Sequence, residues 1–177
     1  DMEKLRWYNR EYLLQLSDEA FKASALKILK DGVEARELRW NQEIGERLLP
    51  ILRERIHVWS EIAEDVSEGE YDFFFEDPTP EASSIPQKGD AAETTRGLLG
   101  HVYELLNEAP LERFETPERL KEMLWDYATK SGRASVLWPL RFSLSGKSHS
   151  PDPFTIASII GKDATLRRIA SARSKLA

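Results

Sequence analysis

The 177-residue sequence contains no cysteine. That excludes disulfides, thiolate metal sites and cysteine nucleophiles in one step, and a reducing, cytoplasmic setting fits. Histidine is scarce: His57, His101 and His149 lie far apart with no H-x-x-x-H spacing, so no metal site is expected. No apolar run approaches the roughly 20 residues that a bilayer-spanning helix needs, so no membrane partner is expected. The opening Asp1-Met2-Glu3-Lys4 lacks the apolar stretch of a secretory signal and reads as a boundary inside a longer protein. Catalytic signatures are missing too, with no phosphate-cradling glycine motif, no G-x-S-x-G and no H-E-x-x-H. Carboxylates are plentiful, but Glu61, Glu64 and Asp65 sit where a solvated helix face would put them. No catalytic residue is expected, and the chain reads as a binding module.

A net charge of −6 argues against a nucleic-acid partner until it is resolved along the chain. From Thr129 to Ala177, nine basic residues face only Asp152 and Asp163, a net of +7, while the first 128 residues carry −13. Phosphate affinity follows the local basic surface, not the whole-chain sum. The competing explanation is a basic C-terminal helix that balances an acidic neighbour.

Apolar periodicity is helical almost throughout. Leu5, Tyr8, Tyr12 and Leu16 open the chain at helical spacing, and Ser17 caps a second helix that stops near Gly32. A third helix is expected over about 34–49, with Pro50 kinking it or starting the next, which carries Ile51, Ile56, Trp59 and Ile62. Tyr71 to Phe75 tempts as a strand, but the prolines that follow leave it without a partner, so it should plug the core at a helix end. Segment 77–89 holds three prolines without periodicity and reads as a linker. Beyond it, Asp90 should cap a helix, Thr116-Pro117 should start another, Val136 to Leu144 a third, and Ser150-Pro151 a fourth that runs to Gly161, before a last helix from Asp163. The expected architecture is all-α, with two small bundles over residues 1–76 and 90–177.

Four blocks resemble the C-terminal part of bacterial-type glutamyl-tRNA synthetases, a class I family. Lys4-Leu5-Arg6-Trp7-Tyr8-Asn9-Arg10-Glu11-Tyr12 is similar to the family's Lys-Leu-x-Trp-x-Asn-x-x-Tyr, and Pro50 to Ile56 to its Leu-x-x-x-Arg-Ile/Val segment. Phe73-Phe74-Phe75 resembles an aromatic run soon after. Trp138 to Gly146, Ser150 to Phe154, Ile160 to Asp163 and Leu166 to Ile169 resemble an arginine, a Leu-Thr/Ser-Gly turn, a proline-led helix and a Gly-Lys break before an Arg-rich last helix. Asp152 stands where a glycine is common and Pro153 where a leucine is. The ATP-binding HIGH motif and the KMSKS loop are absent, so ATP and magnesium belong to a catalytic domain outside this sequence.

The resemblance implies an α-helical cage that holds the anticodon loop of a glutamate tRNA, acting as a monomer and not on DNA. Arg141 is the implied reader of an unpaired pyrimidine, with Trp138 beside it as stacking face or core anchor. Ser150, Pro151 and Pro153 are implied contacts at the next helix start. Arg55 is matched to an arginine that reads the third anticodon base, in competition with Arg53. Lys147, Arg167 and Arg168 are expected on phosphates, setting affinity without specificity. The rivals are the helical cage of a class I lysyl-tRNA synthetase and a helical protein–protein scaffold with a basic tail.

Overall fold

Nine α-helices and two short 3-10 turns make up the regular structure, and no strand forms. The computed structural model describes residues 1–177, which divide into two compact units, Asp1–Glu76 and Asp77–Ala177.

The first unit contains α1 (Met2–Gln15), α2 (Asp18–Ala35), α3 (Gln42–Arg55), α4 (Ser60–Ser67) and the single turn α5 (Asp72–Phe75). Its core is built on α2, whose Phe21, Ala25, Leu29 and Val33 recur at helical spacing and are buried with Leu48, Leu52, Ile62 and Val66. Ser17 caps α2 as expected, its Oγ accepting from the Ala20 N–H. The helix does not stop at Gly32. It runs on to Ala35, and Gly32 serves close approach instead: a Cβ there would lie 2.9 Å from Val66 Cγ1.

Nor does Pro50 divide a helix, since α3 continues through it to Arg55 and the break comes at Ile56, whose backbone is extended. The stretch after Tyr71 is a helical turn, Asp72–Phe75, and fills the core, with the rings of Phe73 and Phe74 4.3 Å apart and both buried. Arg36 pins this turn to the end of α2 through a two-pronged bond to Asp72, at 2.7 and 2.6 Å.

By contrast α1 is held chiefly by polar contacts. Its large apolar residues Met2, Leu5, Trp7, Tyr8, Tyr12 and Leu14 are exposed, and Leu13 alone is buried. Two arginines clasp it to α3. Arg10 donates to the main-chain oxygens of Arg53, Glu54 and Ile56 at the end of α3. In return Arg53 donates to the oxygens of Leu13, Leu14 and Leu16 at the end of α1. Each guanidinium thus satisfies carbonyls that a helix C-terminus leaves without intrahelical partners.

The second unit contains α6 (Ala92–Glu108), α7 (Pro117–Ser131), α8 (Arg133–Ser145) and α9 (Pro153–Ser174), with 3-10 turns at Ala82–Ser84 and Leu111–Glu115. Leu99, Val102, Leu106, Leu120, Leu124, Val136, Leu140, Leu144, Ile156 and Ile169 form its core. Thr116 caps α7 with Pro117 at the first helical position, as the sequence predicts. Asp90 does not cap α6. The cap residue is Ala91, and Asp90 instead closes a turn by donating its N–H to the Gln87 oxygen.

The segment expected as a linker, 77–89, is packed onto this unit. Pro80 and Ile85 are buried, Lys175 Nζ donates to the Pro80 oxygen at 2.8 Å, and the Trp138 indole N–H donates to the Ser84 oxygen at 3.1 Å. Its prolines fix an extended path without ladder bonds, and side chains from α8 and from the residue that ends α9 supply partners. Within α9 the expected break occurs at Gly161 (φ 86, ψ 175), a backbone geometry open essentially to glycine alone. Lys162, next along, donates to the oxygens of Asn107 and Ala109 at 2.8 and 2.7 Å and so closes the end of α6.

Candidate nucleic-acid interface

Trp138, Arg141 and Phe142 share one face of α8 because residues three and four apart are neighbours on a helix. The Trp138 and Phe142 rings stack at 5.9 Å and 16°, and the Arg141 guanidinium lies 5.2 Å from the Trp138 ring centre. With its N–H held by Ser84 and its ring on Phe142, Trp138 is a fixed platform. Its indole N–H is committed to Ser84.

Arg141 is aimed by the loop that follows α8. Its Nη2 donates to the Ser148 oxygen at 2.9 Å, and its Nη1 lies 3.4 Å from both the oxygen and the Oγ of Ser150. Five N–H donors are available to a guanidinium, and these contacts use only its two terminal nitrogens. It lines a cavity of about 430 Å³ together with Gln87, Leu137, Trp138, Ser150, Asp152 and Pro153. No carboxylate lies within ion-pair distance of it (the acceptors are main-chain and hydroxyl oxygens), so its charge is not cancelled at close range.

The cavity wall begins α9 two residues later than the sequence suggests. Asp152, not Ser150, is the cap: its Oδ1 accepts from the Thr155 N–H at 2.9 Å, its Oδ2 accepts from the Thr155 hydroxyl at 2.7 Å, and Pro153 takes the first helical position. Both dipeptides satisfy the cap-then-proline pattern, and the carboxylate with a threonine three residues on provides the stronger pair of bonds. Ser150 and Pro151 lie in the turn before the helix, half-buried, with Ser150 engaged on Arg141.

The remaining candidate cations are placed very differently. In the first unit Arg53 is committed to the α1 clasp and to Asp18 at 3.2 Å, with 21% of its side chain exposed. Arg55 is at the surface, 47% exposed, bound to Glu70, 3.6 Å from Asp65 and over the Tyr71 ring. Its charge thus sits among the oxygens of Asp65, Glu68 and Glu70, which gather within 4.8 Å of one another.

In the second unit Lys147 follows the α8 cap and is half-buried. Arg167 grips Asp77 with two bonds of 2.6 and 2.8 Å. Arg168 reaches the same carboxylate at 3.0 Å and the Leu144 oxygen at 2.7 Å, with only 4% of its side chain exposed. Burial takes Arg168 off the surface from which a phosphate is reached, so that expectation gives way to a structural role. Asp77 is correspondingly acidic: the Arg167 hydrogen bonds, aided by Arg168 and opposed by partial burial, hold its carboxyl down at about 2.

The family model described as "Anticodon binding domain" matches residues 2–173. The chain belongs to the anticodon binding domain family. It is 32% identical over 180 residues to a glutamate–tRNA ligase of Flavobacterium johnsoniae, with 99% of this chain and 33% of that protein covered. For a glutamate–tRNA ligase of Clostridium acetobutylicum the figures are 33% over 183 residues, 99% and 35%. The chain therefore spans about a third of the length of the curated relatives it matches. Among solved structures, a glutamate tRNA ligase from Elizabethkingia meningosepticum superposes with a TM-score of 0.72 at 25% identity, over 100% of this chain and 33% of that one.

This anticodon binding domain also displays residues that sequence reasoning passed over. On α7, Lys121 Nζ lies 4.7 Å from the centre of the Trp125 ring, and Arg133 Cζ, at the start of α8, lies 4.7 Å from it as well. The i, i+4 spacing of Lys121 and Trp125 was a legible sign that the two share a face. The approach of Arg133 depends on the turn at Gly132, where φ is 99°, and is not written in any spacing.

Proposed function

We propose that this chain is the anticodon-reading part of a glutamate–tRNA ligase, and that Arg141 reads an unpaired pyrimidine of the glutamate anticodon. The observation that carries this reading is the Arg141 guanidinium itself. It is oriented by main-chain oxygens, backed by a fixed indole, in no ion pair, and set in the wall of an open cavity that also carries Asp152. Glutamate anticodons end in U-C, and the O2, N3 and O4 acceptors of pyrimidines match a guanidinium's donors. Trp138 keeps the arginine in place, Ser150 orients it, Pro153 lines the cavity, and Pro151 is the contact carried by the turn before it. Of the two first-unit arginines Arg53 is spent on helix carbonyls, so a second base falls to Arg55, which is at the surface and would exchange Glu70 for it. Lys147 is the phosphate contact retained from the sequence; Arg167, gripped by Asp77 through two bonds, is not.

Replacing Arg141 by alanine should weaken binding of an anticodon stem–loop RNA bearing the glutamate anticodon by about tenfold, on the order of 1.4 kcal/mol, with helicity unchanged. A titration giving the same affinity for parent and variant removes Arg141 from the site. Competition between glutamate and lysine tRNAs separates this reading from the lysyl-tRNA synthetase alternative, which requires lysine tRNA to win.

The ligase activity belongs to the larger protein, whose catalytic part would bind ATP and magnesium. Given ATP, magnesium, glutamate and glutamate tRNA, the 177-residue chain alone is expected to charge no tRNA. Accumulation of glutamyl-tRNA above the enzyme-free background would contradict that division of labour.

A further inference from the structure

Arg167 and Arg168 are consumed by Asp77, which leaves open where the second unit takes hold of the RNA backbone. This unit carries 14 basic and 13 acidic residues, so net charge gives no answer. What decides is which cations lack a carboxylate partner and where they stand.

A cavity of about 470 Å³ adjoins the Arg141 cavity and shares Leu137, Asp152 and Pro153 with it as a common wall. Lys121 and Trp125 line its far side, with Glu118. Lys121 and Arg133 both rest on the Trp125 ring, and neither is within ion-pair distance of a carboxylate; Arg133 makes one further bond, from Nε to the Thr129 hydroxyl at 3.3 Å. Of the two acidic groups on the cavity, Asp152 spends both oxygens on capping α9.

The energetics favour this pair over Arg167. A phosphate approaching Arg167 must displace a two-pronged carboxylate, whereas cation–π contacts at the surface are weak, leave the ammonium and guanidinium charges uncancelled, and still fix their positions. We infer that Lys121 and Arg133, held over Trp125, form a phosphate grip for the RNA strand that leaves the Arg141 cavity. The inference rests on the proposed reading of Arg141, and it moves the backbone contact from the last helix to the junction of α7 and α8.

The test uses the 177-residue chain and the same anticodon stem–loop RNA, with affinity measured across a range of salt. Each single-strand phosphate contact contributes roughly 0.7 to the slope of log K against log salt, so it is worth about fivefold in affinity near 0.1 M salt. The double variant Lys121→Gln/Arg133→Gln should lower the slope by about 1.4 and affinity about 25-fold. The order of preference among anticodon-substituted loops should not change. The charge-keeping variant Lys121→Arg/Arg133→Lys should restore most of the slope, which a merely structural role would not require. An unchanged slope in the double variant overturns the grip. If Arg141→Ala still weakens binding in that case, the reading of the cavity stands without it. A parent chain that shows no salt-dependent binding at all overturns both.

Discussion

Replacing Asp77 by alanine is expected to destabilise the second unit by about 3 kcal/mol, the lower edge of what removing one partner of a buried pair costs. The reason is Arg168, whose charge stays inside with 4% of its side chain exposed and loses the Asp77 carboxylate. Arg167, 58% exposed, loses little, since water replaces the carboxylate there. An Asp77→Ala chain with the parent's denaturation midpoint at neutral pH would refute this account.

The same carboxylate gives a signed pH dependence. Its folded value of about 2 lies below the ordinary 3.8, so the ionised form is favoured by folding. The stabilisation is complete above about pH 4 and disappears as pH falls through about 2. Because Asp77 is 42% exposed, screening reduces its share to about 1 kcal/mol. Asp77→Asn should flatten the acid limb of the stability profile by that amount.

Gly161→Ala is the second large effect, with an expected cost of about 3 kcal/mol and a fall in Tm of roughly 6–12 °C. At φ 86 and ψ 175 the added Cβ meets its own backbone, and relief requires the chain to become helical. That would rotate Lys162 away from the Asn107 and Ala109 oxygens and reopen the end of α6. Gly97→Ala is the contrasting substitution. Nothing lies within 4 Å of a Cβ there, and helix propensity alone should stabilise α6 by about 0.5–1 kcal/mol. Equal thermal stability of the Gly161 variant and the parent would show that the break is dispensable.

These two positions show what sequence made legible and what it did not. Local chemistry was readable: Thr116-Pro117 and Ser17 start helices because the bonds involved span three residues, and the all-helical class follows from periodicity that extends along the chain. The break at Gly161 was readable from the glycine itself, and again through the family resemblance. Where two local solutions competed, reading failed, as at Ser150 and Asp152, and as at Gly32, where a glycine serving helix contact looks like one serving a stop.

Long-range pairing was not readable at all. Asp77 lies 90 positions from Arg167, and nothing in either neighbourhood announces the other. The +7 tail is therefore less basic at its surface than its composition suggests, and the competing explanation, a basic helix balancing an acidic neighbour, holds for that pair. At the candidate site the structure gathers Trp138, Arg141, Ser150 and Pro153 around one cavity. The Trp125 cluster escaped notice because one of its cations arrives from the next helix.

The clasp between α1 and α3 bears on which substitutions the first unit tolerates. Its acceptors are all main-chain oxygens, so the residues that supply them are interchangeable as far as the clasp is concerned. The whole requirement falls on two side chains, and on their shape as much as their charge. Lysine at position 10 or 53 would keep the charge but present a single ammonium where a planar fork now spans three carbonyls.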